Sequence, residues 1–123
     1  MPIKGEVDFV RKLQNQLALH ENFQVLADPL DIGVDLLVHD QNSGKTIAIE
    51  IKDAGAYGEL PISTILPISR LVRQTDKFQK LFLISFSAVP DLLSDKLKEI
   101  NVDALTQPTV NQVVEKVQLA LSA

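Results

Sequence analysis

The chain has 123 residues, 46% of them apolar and 23% charged, which suits one domain with one core and excludes a disordered or fibrous chain. It contains no cysteine, so disulfides, thiolate nucleophiles and cysteine-held zinc are ruled out. Twelve Lys and Arg against sixteen Asp and Glu leave a net charge of −4, which speaks against a broad polyanion-binding surface but allows a local basic patch. No apolar run approaches a membrane span, and the opening Met-Pro-Ile-Lys-Gly-Glu lacks a signal-peptide core. A cytoplasmic protein, folded as a single domain over residues 1–123, is therefore expected.

Residues 5–19 carry a helical stripe, Val10, Leu13 and Leu17 at i, i+3 and i+7. At about 100° per residue, Glu6 falls on that stripe one turn before Val10, and Asp8 falls opposite it, toward solvent. Glu6 also suits the positive end of a helix dipole, which explains it as well as a site role does. Phe23 to Ala27 reads as a first strand, followed by the turn-rich Asp28-Pro29-Leu30-Asp31-Ile32-Gly33.

The next eighteen residues, Asp35 to Lys52, hold the most chemistry. Val34, Leu36 and Val38 alternate with Asp35, Leu37 and His39, giving one apolar and one mixed face. Ile47, Ile49 and Ile51 alternate in the same way with Thr46, Ala48, Glu50 and Lys52. Gln41-Asn42-Ser43-Gly44 supplies a hairpin turn between the two runs. Closure about Asn42 and Ser43 sets Asp40 opposite Lys45, and by the same count Asp35 opposite Glu50. A one-residue bulge would spoil that register. Like charges so opposed destabilise a sheet, and a hard cation such as Mg²⁺, which favours one or two carboxylates plus waters, would relieve them. Two carboxylates and the Lys52 ammonium on one face suit a divalent metal and an attacking water, the chemistry of a metal-dependent nuclease. The alternative is a set of solvated charges on an amphipathic hairpin. The core-like run Ile-Ala-Ile-Glu-Ile-Lys weighs against it, because half-buried charges persist only when paired or metal-bound. His20 and His39 are too few for a histidine-rich metal site, and His39, at the turn end, reads as solvated.

After Lys52 comes the small-residue stretch Asp53-Ala54-Gly55-Ala56-Tyr57-Gly58, either a substrate-shaped loop or a plain connection. A helix opening near Ser63 or Thr64 is expected to run to about Phe78, with Pro67 tolerated in its first turn. Ile65, Ile68 and Val72 would face the core, with Arg70, Arg73 and Lys77 on the far face as a candidate phosphate-binding cluster. Leu81 to Phe86 is apolar on both faces, hence an interior strand. Asp91 to Ile100 reads as a helix, Val102 to Leu105 as a short strand and Val110 to Leu121 as a last amphipathic helix. The order αβββαβαβα gives an α/β fold, a mixed sheet flanked by helices.

This order, with acids on the second and third strands, resembles the restriction-endonuclease-like PD-(D/E)xK nuclease superfamily, with its Mrr-like and Holliday-junction-resolvase-like members. Asp35 matches the acid that opens the second strand, and Glu50-Ile51-Lys52 matches the (D/E)-x-K triplet of the third. Asp31-Ile32-Gly33-Val34-Asp35-Leu36-Leu37 is similar to the Asp-x-Gly-x-Asp-Leu of Mrr-like members. The resemblance covers roughly residues 5–105 and departs from the pattern in having Val34 in place of Pro. It implies a mixed sheet with an αβββαβ core, Mg²⁺ (or Mn²⁺) held by Asp35, Glu50 and the Ile51 carbonyl, and Lys52 orienting or deprotonating the water. Glu6 would match the first-helix acid found in some members. The implied function is a metal-dependent DNA endonuclease, or a nuclease subunit, in restriction, recombination or mobile-element processing. A cleaving protein this small is expected to form a homodimer, with the stripe Val110, Val113, Val114, Val117 and Leu121 as spare surface. The alternative is a non-cleaving accessory module on the same scaffold that binds a partner protein. A third reading is an unrelated α/β fold with solvated hairpin charges.

Overall fold

The computed structural model describes residues 4–27, 34–52, 58–74 and 76–122, with backbone alone for residues 4–7 and 74. The turn Asp28–Gly33, residues 53–57 of the small-residue stretch, and the side chain of Glu6 lie outside the described residues. The elements are α1 (Lys4–Ala18), β1 (Phe23–Ala27), β2 (Leu36–Asp40), β3 (Thr46–Lys52), a 3₁₀ turn (Ile62–Thr64), α2 (Ile65–Gln74), β4 (Lys80–Ser85), α3 (Asp91–Glu99), β5 (Val102–Thr106) and α4 (Val110–Ser122).

The five strands form one mixed sheet in the order β1-β2-β3-β4-β5. β1, β2 and β3 pair antiparallel, whereas β3, β4 and β5 pair parallel, giving the expected α/β architecture with an αβββαβ core. Helices cover both faces, as parallel pairing requires. On one face Leu13 and Leu17 of α1 and Val113, Val117 and Leu121 of α4 close over Ile47, Ile49, Phe82 and Ile84. On the other, Ile68 of α2 and Leu93 and Leu97 of α3 close over Ala48, Leu81 and Leu83. Leu81, Phe82, Leu83 and Ile84 are all at most 2% exposed, and each such side chain stabilises the fold by about 1.5–3 kcal/mol. Among the described residues no helix is long and apolar enough to cross a membrane.

The β2–β3 hairpin closes in the expected register from Leu36 to Asp40, but not at Asp35, whose N–H bonds to Ile49 and which does not pair with Glu50 in the ladder. The Asp40 N–H donates to the Lys45 carbonyl at 2.9 Å, and Leu36 stands opposite Ile49. Gly44 takes φ +75°, a left-handed conformation that costs glycine little, and its N–H returns to the Asp40 carbonyl at 2.8 Å. The Asp40 carboxyl accepts the Asn42 N–H at 3.1 Å, and a hydrogen bond from Ser43 holds its pKa below the usual carboxylate value.

Three further expectations are corrected. Val34 packs with Leu37 and Ala48 instead of sharing the face of Leu36 and Val38, because the chain bends at Asp35 and the alternation breaks there. The second helix ends at Gln74, four residues early, so Lys77 lies outside it. Phe78 is off the Ile65–Ile68–Val72 stripe and is buried as an anchor under the sheet, and the Gln79 N–H already donates to the Thr46 carbonyl at 2.9 Å to start β4. Finally, the apolar stripe of α4 is not spare. Val113, Val117 and Leu121 are at most 1% exposed and Val110 and Val114 pack beside them, because α4 is the lid that closes the α1 face.

Candidate metal centre and basic helix face

β3 is where antiparallel pairing changes to parallel pairing, so its carboxyl end lies beside the amino end of β2 and the carboxyl ends of β4 and β5. Asp35, Glu50 and Lys52 meet at this rim. The bend at Asp35 decides how they meet. Its N–H donates to the Ile49 carbonyl at 3.0 Å, and its carboxylate accepts the Ile51 N–H at 2.7 Å. With Asp40 and Lys45 hydrogen-bonded to each other, strand alternation points the Ile51 N–H toward β2, where Val34 would otherwise take it. A side-chain carboxylate therefore replaces one rung of the ladder and is pinned to the backbone of β3. The same alternation points the Ile51 carbonyl toward β2, the side on which Asp35 stands.

Glu50 shares a sheet face with Ala48 and Lys52 and is 7% exposed. Burial first, then the hydrogen-bonded carboxyl of Asp35 and its charge, push the Glu50 pKa from 4.5 up to about 8. The Lys52 ammonium and the Ile51 N–H act in the opposite direction, the ammonium lying 4.0 Å from Glu50 Oε2. Lys52 is the more open member, its side chain 38% exposed against 10% for Glu50. Burial and the Asp35 neighbour thus favour the neutral form of the Glu50 carboxyl, and the part-exposed Lys52 stands beside it.

Such a donor set fits a hard divalent cation. It offers two carboxylates and a strand carbonyl, all oxygen, and Mg²⁺ keeps most of its waters when bound by one or two carboxylates. A cation there would also replace the proton that burial forces onto Glu50. Among the described residues no group of three or more His, Asp or Glu is arranged to hold a metal, so the acids stand as a pair. His39 is about 13 Å along β2 from Asp35 at 3.3 Å per residue, and its Nδ1 is 2.8 Å from Thr46 Oγ1.

The rim has a further member that the sequence pattern did not single out. Ser85 is paired with Lys52 across β3 and β4 and is fully buried. Its hydroxyl donates to the Ser87 carbonyl at 2.6 Å and accepts the Ser87 N–H at 3.0 Å, fixing the turn that leaves β4. The one signal for it was a hydroxyl in the apolar run Leu-Phe-Leu-Ile-Ser-Phe. Behind that turn Phe86 meets Phe9 of α1 edge-on at 5.2 Å, and Glu59 bridges to Ala88 as the chain returns from β3.

On the same side of the sheet, α2 presents Arg70 and Arg73 to solvent beside Leu66 and Ser69, around a shallow hollow of about 390 Å³. Neither arginine has a carboxylate within ion-pair distance among the described residues, in contrast to Arg11, which holds Asp8 at 3.0 Å. Lys77 is exposed but follows the helix and does not extend the Arg70–Arg73 row.

No protein-family model matches the sequence, and no curated protein matches it significantly. Among solved structures the chain is similar to a repair endonuclease from Pyrococcus abyssi, with a TM-score of 0.48 and 14% identity, over 88% of this chain and 49% of that one. The chain thus spans about half the length of that protein. A likeness of this degree assigns no role to any residue.

Proposed function

We propose that this chain is a metal-dependent nuclease, a DNA endonuclease acting alone or as a subunit, with its centre at the Asp35–Glu50–Lys52 rim. The observation that carries the reading is the pinned carboxylate pair: a fold gains nothing from holding Glu50 nearly buried against Asp35 unless a cation is to sit between them. Asp35, Glu50 and the Ile51 carbonyl would hold Mg²⁺ or Mn²⁺, which when bound lowers the pKa of water and offsets charge on the scissile phosphate. Asp35, fixed by the Ile51 N–H, keeps its place when Glu50 loses its proton. Lys52, part-exposed and 4.0 Å from Glu50 Oε2, would orient the attacking water and donate to a phosphate oxygen. Ser85, paired with Lys52 across β3 and β4, holds the β4 turn. Arg70 and Arg73 would take the flanking phosphates and set the strand's path. Glu6 is retained as a further acid of the centre on the family resemblance alone.

The test is cleavage of plasmid, single-stranded and branched DNA with Mg²⁺ or Mn²⁺, wild type beside Glu50→Ala. Metal-dependent cutting that is lost in the variant is the expected result. Retained cutting in a clean preparation removes Glu50 from the mechanism. One observation favours a second reading, a non-cleaving module that binds a partner protein: only two acids converge among the described residues. A thermal midpoint indifferent to millimolar Mg²⁺ and Mn²⁺ would support that module, since a ligand of the native state must raise it.

A further inference from the structure

Leu66 of α2 is 64% exposed, as open as the surface leucines Leu92 and Leu119, but its neighbours differ. Asp91 precedes Leu92 in the chain, and Glu115 and Lys116 line the groove of Leu119. Leu66 shares its shallow hollow with Ser69, Arg70 and Arg73. The helical repeat explains the grouping. At about 100° per residue these four positions fall within about 100° of the helix surface. Ile68 meanwhile turns to the core at 0% exposure, with Val72 packed beside it. An acid on the outer row would have closed it as an intrahelical ion pair, and none occurs from Leu60 to Thr75. Both arginines are exposed and lack a carboxylate partner among the described residues. The hollow therefore joins two open cations and a hydroxyl to an apolar side chain that the fold leaves uncovered.

We propose that this hollow seats one unstacked nucleotide of a single strand, its phosphate on Arg70, Arg73 and the Ser69 hydroxyl and its base against Leu66. The assignment rests on the nuclease reading for the presence of a nucleic-acid strand over this sheet face, and adds the form of that strand. A duplex would satisfy the arginines as well, since its phosphates lie outward. Its base faces, however, are covered by their neighbours in the stack, so Leu66 would meet only sugar. An unstacked nucleotide presents an anion and a flat apolar face together, which is the combination the hollow offers. Arginine adds to the fit, because a guanidinium plane stacks on a base while it holds a phosphate. The hollow is open and shallow, which suits one unit of a longer chain passing over α2. An acidic peptide with apolar side chains would match the charge, but it makes no use of a carboxylate pair suited to a cation and a phosphate on the same side of the sheet. Leu66 is thus the residue that discriminates single strand from duplex.

The test is anisotropy titration with a chelator present, so that no strand is cut. The probes are a labelled single strand of about 20 nucleotides, the same strand with its bases removed along the middle, the blunt duplex, and a Glu-Leu repeat peptide. Each is titrated with wild type, Leu66→Ala and Arg73→Ala, with circular dichroism to confirm the folds. Wild type should bind the intact single strand at least about fivefold tighter than the abasic strand or the duplex. Leu66→Ala should lose that advantage while its affinity for the abasic strand and the duplex stays within about twofold of wild type. Arg73→Ala should weaken all three. A duplex bound as tightly as the single strand, a Leu66→Ala loss equal on all three nucleic acids, or a peptide bound tighter than any of them would overturn the proposal. Metal-dependent cutting judges the nuclease reading separately. Duplex-preferring binding with cutting would fail the hollow alone, and the expected binding pattern without cutting would fail the nuclease alone.

Discussion

Glu50→Gln, measured without metal, tests the electrostatics of the centre most directly. The Glu50 pKa is 4.5 in the unfolded chain and about 8 in the folded one, so the native state prefers the neutral carboxyl. The stability this contributes is complete below about pH 4.5, drains as the pH rises, and is gone above about pH 8. At 1.36 kcal/mol per tenfold change in proton affinity the loss is at most about 5 kcal/mol, and rim solvation brings the expected value to about 2–4 kcal/mol. Gln is neutral at every pH and nearly isosteric. The variant should therefore match wild type at pH 5 and exceed it by about 2–4 kcal/mol at pH 9, read from urea denaturation with a chelator present. Adding Mg²⁺ or Mn²⁺ at pH 8 should stabilise wild type and leave Glu50→Gln nearly unmoved, because the cation takes the place of the proton. Parallel pH profiles for the two proteins would show that Glu50 is not held neutral by its surroundings and would remove the electrostatic case for a cation.

Three further outcomes follow from the same geometry. Lys52→Ala should lose about 100-fold or more of cleavage while its urea midpoint stays within about 1 kcal/mol of wild type, because its side chain is part-exposed and its one ion pair is long; plasmid nicking beside denaturation measures both. Arg70→Ala and Arg73→Ala should each weaken DNA binding across all sequences and lower the slope of log affinity against log salt by about 1, as anisotropy titrations at several salt concentrations would show. Ser85→Ala strips both buried hydrogen bonds from Ser87 and should destabilise the protein by about 1–3 kcal/mol in thermal or urea unfolding.

What could be read in the letters depended on whether one periodicity governed a segment. β1 and the hairpin register followed directly, since alternation of period two and a four-residue turn leave one closure that buries the isoleucines. α2 ran too long on paper because no glycine or proline between Val72 and Phe78 marks a stop. At 100° per residue Phe78 falls about 110° off the Ile65–Ile68–Val72 stripe, and it is buried with the α2–α3 side of the core instead. The α4 stripe looked available for a partner because amphipathicity says that a face is buried, not against what. Asp35 and Glu50 were found by type and spacing. The bend that turns Asp35 from a face residue into a ladder substitute was not visible, since nothing in Val34-Asp35-Leu36 departs from alternation. Ser85 was legible only as an oddity, a hydroxyl in an apolar strand.

The net charge of −4 weighs less against a polyanion ligand once the charges have positions. Screening confines a surface charge to about 8 Å at physiological salt, so a ligand at the rim responds to its neighbours and not to the sum. From Leu60 to Thr75 the sequence holds two arginines and no acid. Those arginines lie on the sheet side that carries Glu50 and Lys52 and are unpaired among the described residues. By contrast, Arg11 pairs with Asp8 and Lys80 with Asp103. At the rim Lys52 stands against Asp35 and Glu50, the Glu50 pKa being pushed up to about 8, while Arg70 and Arg73 stand on α2 over the same sheet face. A divalent cation that displaces the Glu50 proton would add one net positive charge to that side. Phosphate binding on that side should strengthen when the metal is added, which the same anisotropy titration with and without Mg²⁺ would measure.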